Sequence, residues 1–139
     1  MESRNLIISI KPEYAFKAVD GIKTIELRKK FPIDGIKNNL VIIYASSPVQ
    51  QIIGYATIRE VYKLPISSIW RKFNKQSCVT KEFFNSYFKG LDEGFAISLT
   101  DPVKLCKPID IRILEKKCDF FPPQSYLYAS KKMLKIIGI

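Results

Sequence analysis

Between Thr24 and Arg28 the chain alternates strictly: Thr24, Glu26 and Arg28 are polar, Ile25 and Leu27 apolar. A two-residue period puts successive side chains on opposite faces of a strand, and no face of a helix would collect them. The run therefore reads as a β-strand over residues 24–30 with one apolar and one wet face. Gly21 lets the chain turn tightly before it, and Pro32 closes it. On the wet face Glu26 and Arg28 are neighbours, with Lys23 at the strand mouth. A cation, an anion and a second cation in a row can hold a charged ligand while keeping one another ionised. The same spacing fits an ordinary solvated strand face, and the residues alone leave both readings open.

The flanking pattern supplies the rest of the fold. Residues 5–10 read as a buried strand, and Pro12 opens a helix whose apolar side is Tyr14, Ala15, Ala18 and Val19. Asp34-Gly35 and Asn38-Asn39 are turns, and residues 40–44 form a central strand that empties into Ala45-Ser46-Ser47-Pro48. Residues 51–62 make a long strand bent near Gly54, broken by Pro65. Ser67 or Ser68 is expected to cap a helix holding Ile69, Trp70 and Phe73, and Thr80 a second one bearing Phe83, Phe84, Tyr87 and Phe88. Residues 94–99 are a strand, continued by 103–105 after Asp101-Pro102. In 108–115, Ile109, Ile111 and Ile113 alternate with polar residues, which favours strand over helix. Residues 120–126 read as a rigid two-proline loop, and 130–137 as a short basic helix. About six strands with helices inserted rather than alternating suggest a single α+β domain over residues 1–139, a mixed β-barrel rather than a doubly wound sheet.

Composition narrows the chemistry. The 139 residues are 47% hydrophobic, enough for an unaided core, and carry a formal net charge of +10, which suits a polyanion partner. There is no histidine, which removes the usual general base, the usual zinc ligand and every Ser-His or Cys-His mechanism. Cys78, Cys106 and Cys118 are odd in number and form no Cys-x-x-Cys pair, so they read as reduced thiols of a cytoplasmic protein. No apolar run reaches the roughly 18–20 residues a membrane span requires. No cofactor or metal is called for.

The spacing Gly21-x-Lys23-x-x-Glu26-x-Arg28 resembles the signature of the ASCH domain, a PUA-like family. Ile8-Ser9-Ile10-Lys11-Pro12, the 41–48 strand and loop, Ile53-Gly54, Phe88-Lys89-Gly90 and Pro122-Pro123-Gln124-Ser125-Tyr126 agree with it in order and spacing. The resemblance implies a six-stranded pseudo-barrel with a cleft beside the first helix that accepts RNA or a nucleotide-like ligand. Lys23, Glu26 and Arg28 would face the cleft, with Lys11 and the Ser46-Ser47 loop at its rim.

The expected function is thus RNA or nucleotide binding, in RNA metabolism or translation-linked regulation. The ligand residues would be Lys11, Lys23, Glu26, Arg28, Lys30, Tyr44, Ser46, Ser47 and Trp70. Lys30 is either a phosphate contact or part of a solubility face, and Trp70 either core or a stacking platform. Two alternatives stand beside this. Some relatives resemble amidohydrolases of N4-acetylcytidine that use a Lys, a Thr and a Glu. Here Lys23 and Glu26 would be the catalytic pair, although the position three residues after the lysine is Glu26 and the nearest threonine is Thr24. Ribonuclease activity is also proposed for members of the family. The other alternative is a coactivator-like module that binds protein through the Phe-rich or C-terminal helix.

Overall fold

The computed structural model describes residues 4–139, and among these the chain forms six strands and five helices. In chain order they are β1 (Leu6–Ile10), α1 (Pro12–Val19), β2 (Ile25–Arg28), β3 (Leu40–Ala45), β4 (Gln51–Pro65), α2 (Ile66–Ser77), α3 (Lys81–Tyr87), β5 (Glu93–Asp110), α4 (Ile111–Cys118), β6 (Tyr126–Tyr128) and α5 (Lys131–Ile137). All six strands join one curled, mixed sheet in the order β2-β5-β4-β3-β1-β6. The β1–β3 pair is parallel and the others antiparallel. The result is the expected α+β architecture as a half-barrel whose hydrogen-bonded ladder ends at β2 on one side and β6 on the other. No helix among the described residues is long and apolar enough to cross a membrane.

The sheet buries both faces, which explains the continuous apolar runs of β1 and β3. Leu6, Ile8, Ile10, Val41 and Ile43 pack with Ala15, Ala18 and Val19 of α1 on one face. Ile7, Ile42 and Ile52 pack on the other against Ile111 and Leu114 of α4 and Met133 and Ile137 of α5. A third cluster joins Ile25 and Leu27 of β2 to Ile69 of α2 and Phe84 and Phe88 of α3. That last contact sets the position of the α2–α3 pair, which is inserted into the β4–β5 hairpin beside β2.

One local expectation holds: Thr80 caps α3 by accepting from the Phe83 N–H at 3.1 Å. Ser130, not singled out as a cap in sequence, caps α5 by accepting from the Met133 N–H at 3.2 Å. Others are corrected. Neither Ser67 nor Ser68 caps α2; Pro65 occupies that place, and no side chain accepts there. The two expected strands after residue 93 are one, because β5 runs on through Asp101 in the left-handed region (φ 50°) and Pro102. The 108–115 segment divides at Asp110, whose carboxylate accepts from the Arg112 N–H at 2.8 Å and starts α4. Ile111 and Leu114 then share the buried face, while Ile113, inward in the alternating reading, is 43% exposed. The three-residue β6, hidden behind two prolines in sequence, pairs with β1.

The β4–β5 register shifts next to Gly54, and the site has no room for a side chain. A Cβ there would lie 2.3 Å from the Val103 carbonyl oxygen and 2.7 Å from a methyl of Val19. Gly54→Ala is therefore expected to destabilise the protein by about 1–3 kcal/mol in chemical denaturation. An unchanged midpoint would show that β4 and β5 do not approach this closely.

Candidate functional site

β2 lies at one end of the ladder, and the face expected to be wet is not. Lys23, Glu26 and Arg28 are 2%, 6% and 7% exposed. α2 and α3 cover the strand on one side. On the other, the Arg28 guanidinium reaches across the open seam of the half-barrel. Nη2 donates to the Ser9 carbonyl of β1 at 2.6 Å and to Glu26 Oε2 at 2.9 Å, and Nη1 to the Ser125 carbonyl just before β6 at 3.3 Å. Ser9 fastens the same loop through its hydroxyl, which donates to the Pro123 carbonyl at 2.6 Å. Side chains therefore bridge the edges that the backbone ladder leaves apart.

Glu26 sits between two cations. Its Oε1 lies 3.6 Å from Lys23 Nζ and accepts from the Leu27 N–H at 3.2 Å. Lys23 Nζ also donates to the Ser77 carbonyl at the C-terminal end of α2, where the helix dipole favours a cation. Burial pushes the Lys23 ammonium below its ordinary value, and the Glu26 carboxylate opposes that shift. Arg28 is incompletely served. Of its five N–H donors, three are used, and Nε is enclosed without a partner. An unpaired buried donor costs about 1–3 kcal/mol.

These groups floor a cavity of about 570 Å³, within the range that takes a small organic ligand. One wall is aromatic. Phe83 and Tyr87 of α3 stack at 5.8 Å with ring planes 10° apart, and Tyr14 of α1 tilts against Phe83 at 5.5 Å. Lys11 at the rim lies 5.3 Å over the Phe83 ring, and Lys29 lies 5.0 Å over Tyr87. The opposite lip is the Ser46-Ser47 loop with Tyr44, whose ring meets Phe120 edge-on at 6.2 Å. Burial raises the hydroxyl pKa of Tyr14, Tyr44 and Tyr87, so all three remain protonated donors at neutral pH.

Of the residues singled out in sequence, Lys11, Lys23, Glu26, Arg28, Tyr44, Ser46 and Ser47 come together around this cavity. Lys30 is exposed beyond the end of β2 and does not line it. Trp70 packs on Phe84 at 5.0 Å in the third core cluster, away from the cavity. Thr24 lines a separate hollow of about 150 Å³ with Pro102. Sequence reasoning missed Tyr14, Phe83, Tyr87 and Gln50, and read Pro122–Gln124 only as a loop. The helical period held a clue: Phe83 and Tyr87 are four apart, as are Phe84 and Phe88, so the second pair is buried in the core while the first lines the cavity, with Tyr87 also packed on the core's edge. Among the described residues no three His, Cys, Asp or Glu side chains group as metal ligands.

Comparison with known proteins places this geometry. The family model of the ASCH domain matches residues 8–109. An ASCH domain-containing ribonuclease of Zymomonas mobilis is 27% identical over 132 residues, 94% of this chain and 88% of that protein. The crystal structure of ASCH from Zymomonas mobilis superposes with a TM-score of 0.92 at 26% identity, over 99% of this chain and 96% of that one. Large ribosomal subunit protein uL22 of Ureaplasma parvum is 30% identical over 110 residues, 78% of this chain but 35% of that protein. The N-terminal domain of Staphylothermus marinus McrB, at 12% identity and a TM-score of 0.60, shares the fold alone.

The depressed ammonium of Lys23 has a testable sign. Between its lowered value and the ordinary 10.5, the unfolded chain binds more protons than the folded one. Stability from this group therefore rises with pH across that window. Wild type is expected to gain stability relative to Lys23→Gln as pH is raised from neutral toward 10.5, read from paired denaturation midpoints. A flat or falling difference would mean the ion pair, rather than burial, governs this lysine.

Proposed function

The chain belongs to the ASCH domain family, and on that premise we propose that it binds single-stranded RNA in the seam cavity. The observation that carries the reading is the pairing of a cationic floor with an aromatic wall in one nucleotide-sized hollow. Arg28 offers a charged donor group to phosphate or a base edge, and Phe83 and Tyr87 offer ring faces on which a base can stack. Lys11 steers the backbone from the exposed rim. Glu26, its carboxylate taken up by Lys23, Arg28 and the Leu27 N–H, acts by aiming the two cations rather than by reading a base. The surplus of positive charge over the whole chain supports the same partner.

A second reading, cleavage of RNA, is favoured by the ribonuclease of Zymomonas mobilis, which matches nearly the full length of this chain. The cavity tyrosines, held protonated, and the weakly basic Lys23 are the groups able to move a proton at a phosphodiester. Amide hydrolysis on a nucleoside has less support, since Thr24 opens onto the other hollow.

A labelled single-stranded RNA separates the readings. Anisotropy titrations are expected to show binding that weakens steeply with salt, with a log–log slope of about −0.7 per phosphate contact. Lys11→Ala should weaken binding and reduce the magnitude of that slope by about 0.7, the share of one phosphate contact. Gels of the same mixtures show whether the strand is cut. A folded protein that fails to bind at low salt would overturn the proposal.

A further inference from the structure

We propose that the cavity is selective for a phosphate monoester, the phosphorylated end of an RNA strand or a mononucleotide, over an internal phosphodiester or an uncharged nucleoside. The proposal deepens the RNA reading and rests on it for the nucleotide part of the ligand.

The first observation is the state of Arg28. Arg28, a residue 7% exposed that lines the cavity, keeps Nε sealed away without a partner and has one N–H of Nη1 unused, so its donors exceed its acceptors and the Nη1 N–H is the one left for a ligand. The fixed partners already present are two backbone carbonyls and one carboxylate. What is missing is a group with several strongly accepting oxygens held close together. A terminal phosphate has three, where an internal diester has two that are not bridging.

The second observation is the charge of the lining. Lys11, Lys23 and Arg28 face the cavity, and Glu26 is the one acidic residue among the described residues that line it. With Lys23 protonated, the surplus is two positive charges. A phosphate monoester carries about −1.5 to −2 near neutral pH and balances that surplus. A diester balances half, and a nucleoside none. Burial sharpens the difference, because charges in an enclosed site are screened far less than on a surface.

The third observation is size. About 570 Å³ accommodates a single nucleotide with its base against Phe83 and Tyr87 and its phosphate toward Arg28. A phosphorylated end places these two features within one residue of the strand.

The test compares trinucleotides of one sequence carrying a 5′-phosphate, a 3′-phosphate or hydroxyls at both ends, with inorganic phosphate as competitor. Binding is read by calorimetry on the full chain. One phosphorylated form is expected to bind at least about tenfold more tightly than the unphosphorylated strand, and inorganic phosphate should compete with it. Arg28→Lys, which keeps the charge and removes the fork, should erase the preference. Lys11→Ala on the exposed rim reads the same effect at several-fold should Arg28→Lys fail to fold. Equal affinity for all three strands overturns this proposal and leaves RNA binding standing. Capture of a mononucleotide with refusal of every strand upholds the monoester and overturns the RNA reading. No binding of any probe at low salt overturns both.

Discussion

The Lys23–Glu26–Arg28 triad is the constraint on which the rest depends. A six-stranded sheet curled into a half-barrel leaves β2 and the β1–β6 side facing each other without backbone hydrogen bonds. Unsatisfied edges invite pairing with other chains. Here a guanidinium spans the gap to the carbonyls of Ser9 and Ser125, and a carboxylate two residues earlier holds it there. Burying three charges is costly unless each is met by opposite charge and hydrogen bonds, and the arrangement nearly achieves this. The remaining deficit is at Nε of Arg28, sealed from solvent within a residue that lines the cavity.

That seam is also where the cavity has to be. Closing a sheet with side chains leaves a hollow above them that a continuous ladder would have filled. The hollow is roofed by what the chain inserts nearby: α1 with Tyr14, α3 with Phe83 and Tyr87, and the proline loop tied down by Ser9. Helix α3 stands there because its other face, Phe84 and Phe88, packs on β2. One strand thus positions both halves of the site. Its apolar residues, Ile25 and Leu27, dock the aromatic helices, and its polar residues build the ionic floor.

Much of this was legible in sequence because it follows from local rules. The alternation in β2, the cap at Thr80 and the small-residue loop after β3 all report short-range physics. What was misread depended on tertiary context. The wet face of β2 was buried because partners distant in sequence, Ser9, Ser77 and Ser125, satisfy its charges. The alternation of Ile109, Ile111 and Ile113 lost to a cap at Asp110. The aromatic wall was present in the helical period of α3, but which of its two pairs faced the cavity depended on where β2 lay. Trp70, the most conspicuous stacking candidate, belongs to the core face.

The central claim is that Glu26 serves the site by aiming its neighbours, against the simple expectation that an acid in an anion-binding cavity repels the ligand. The most direct measurement is the affinity of Glu26→Gln for single-stranded RNA at low salt, with folding verified by circular dichroism. Electrostatics alone would make this variant bind more tightly, since it loses a negative charge. If the carboxylate holds Lys23 and Arg28 in place, affinity falls instead, by about tenfold or more for a lost charge-assisted contact. Unchanged or tighter binding would contradict the account.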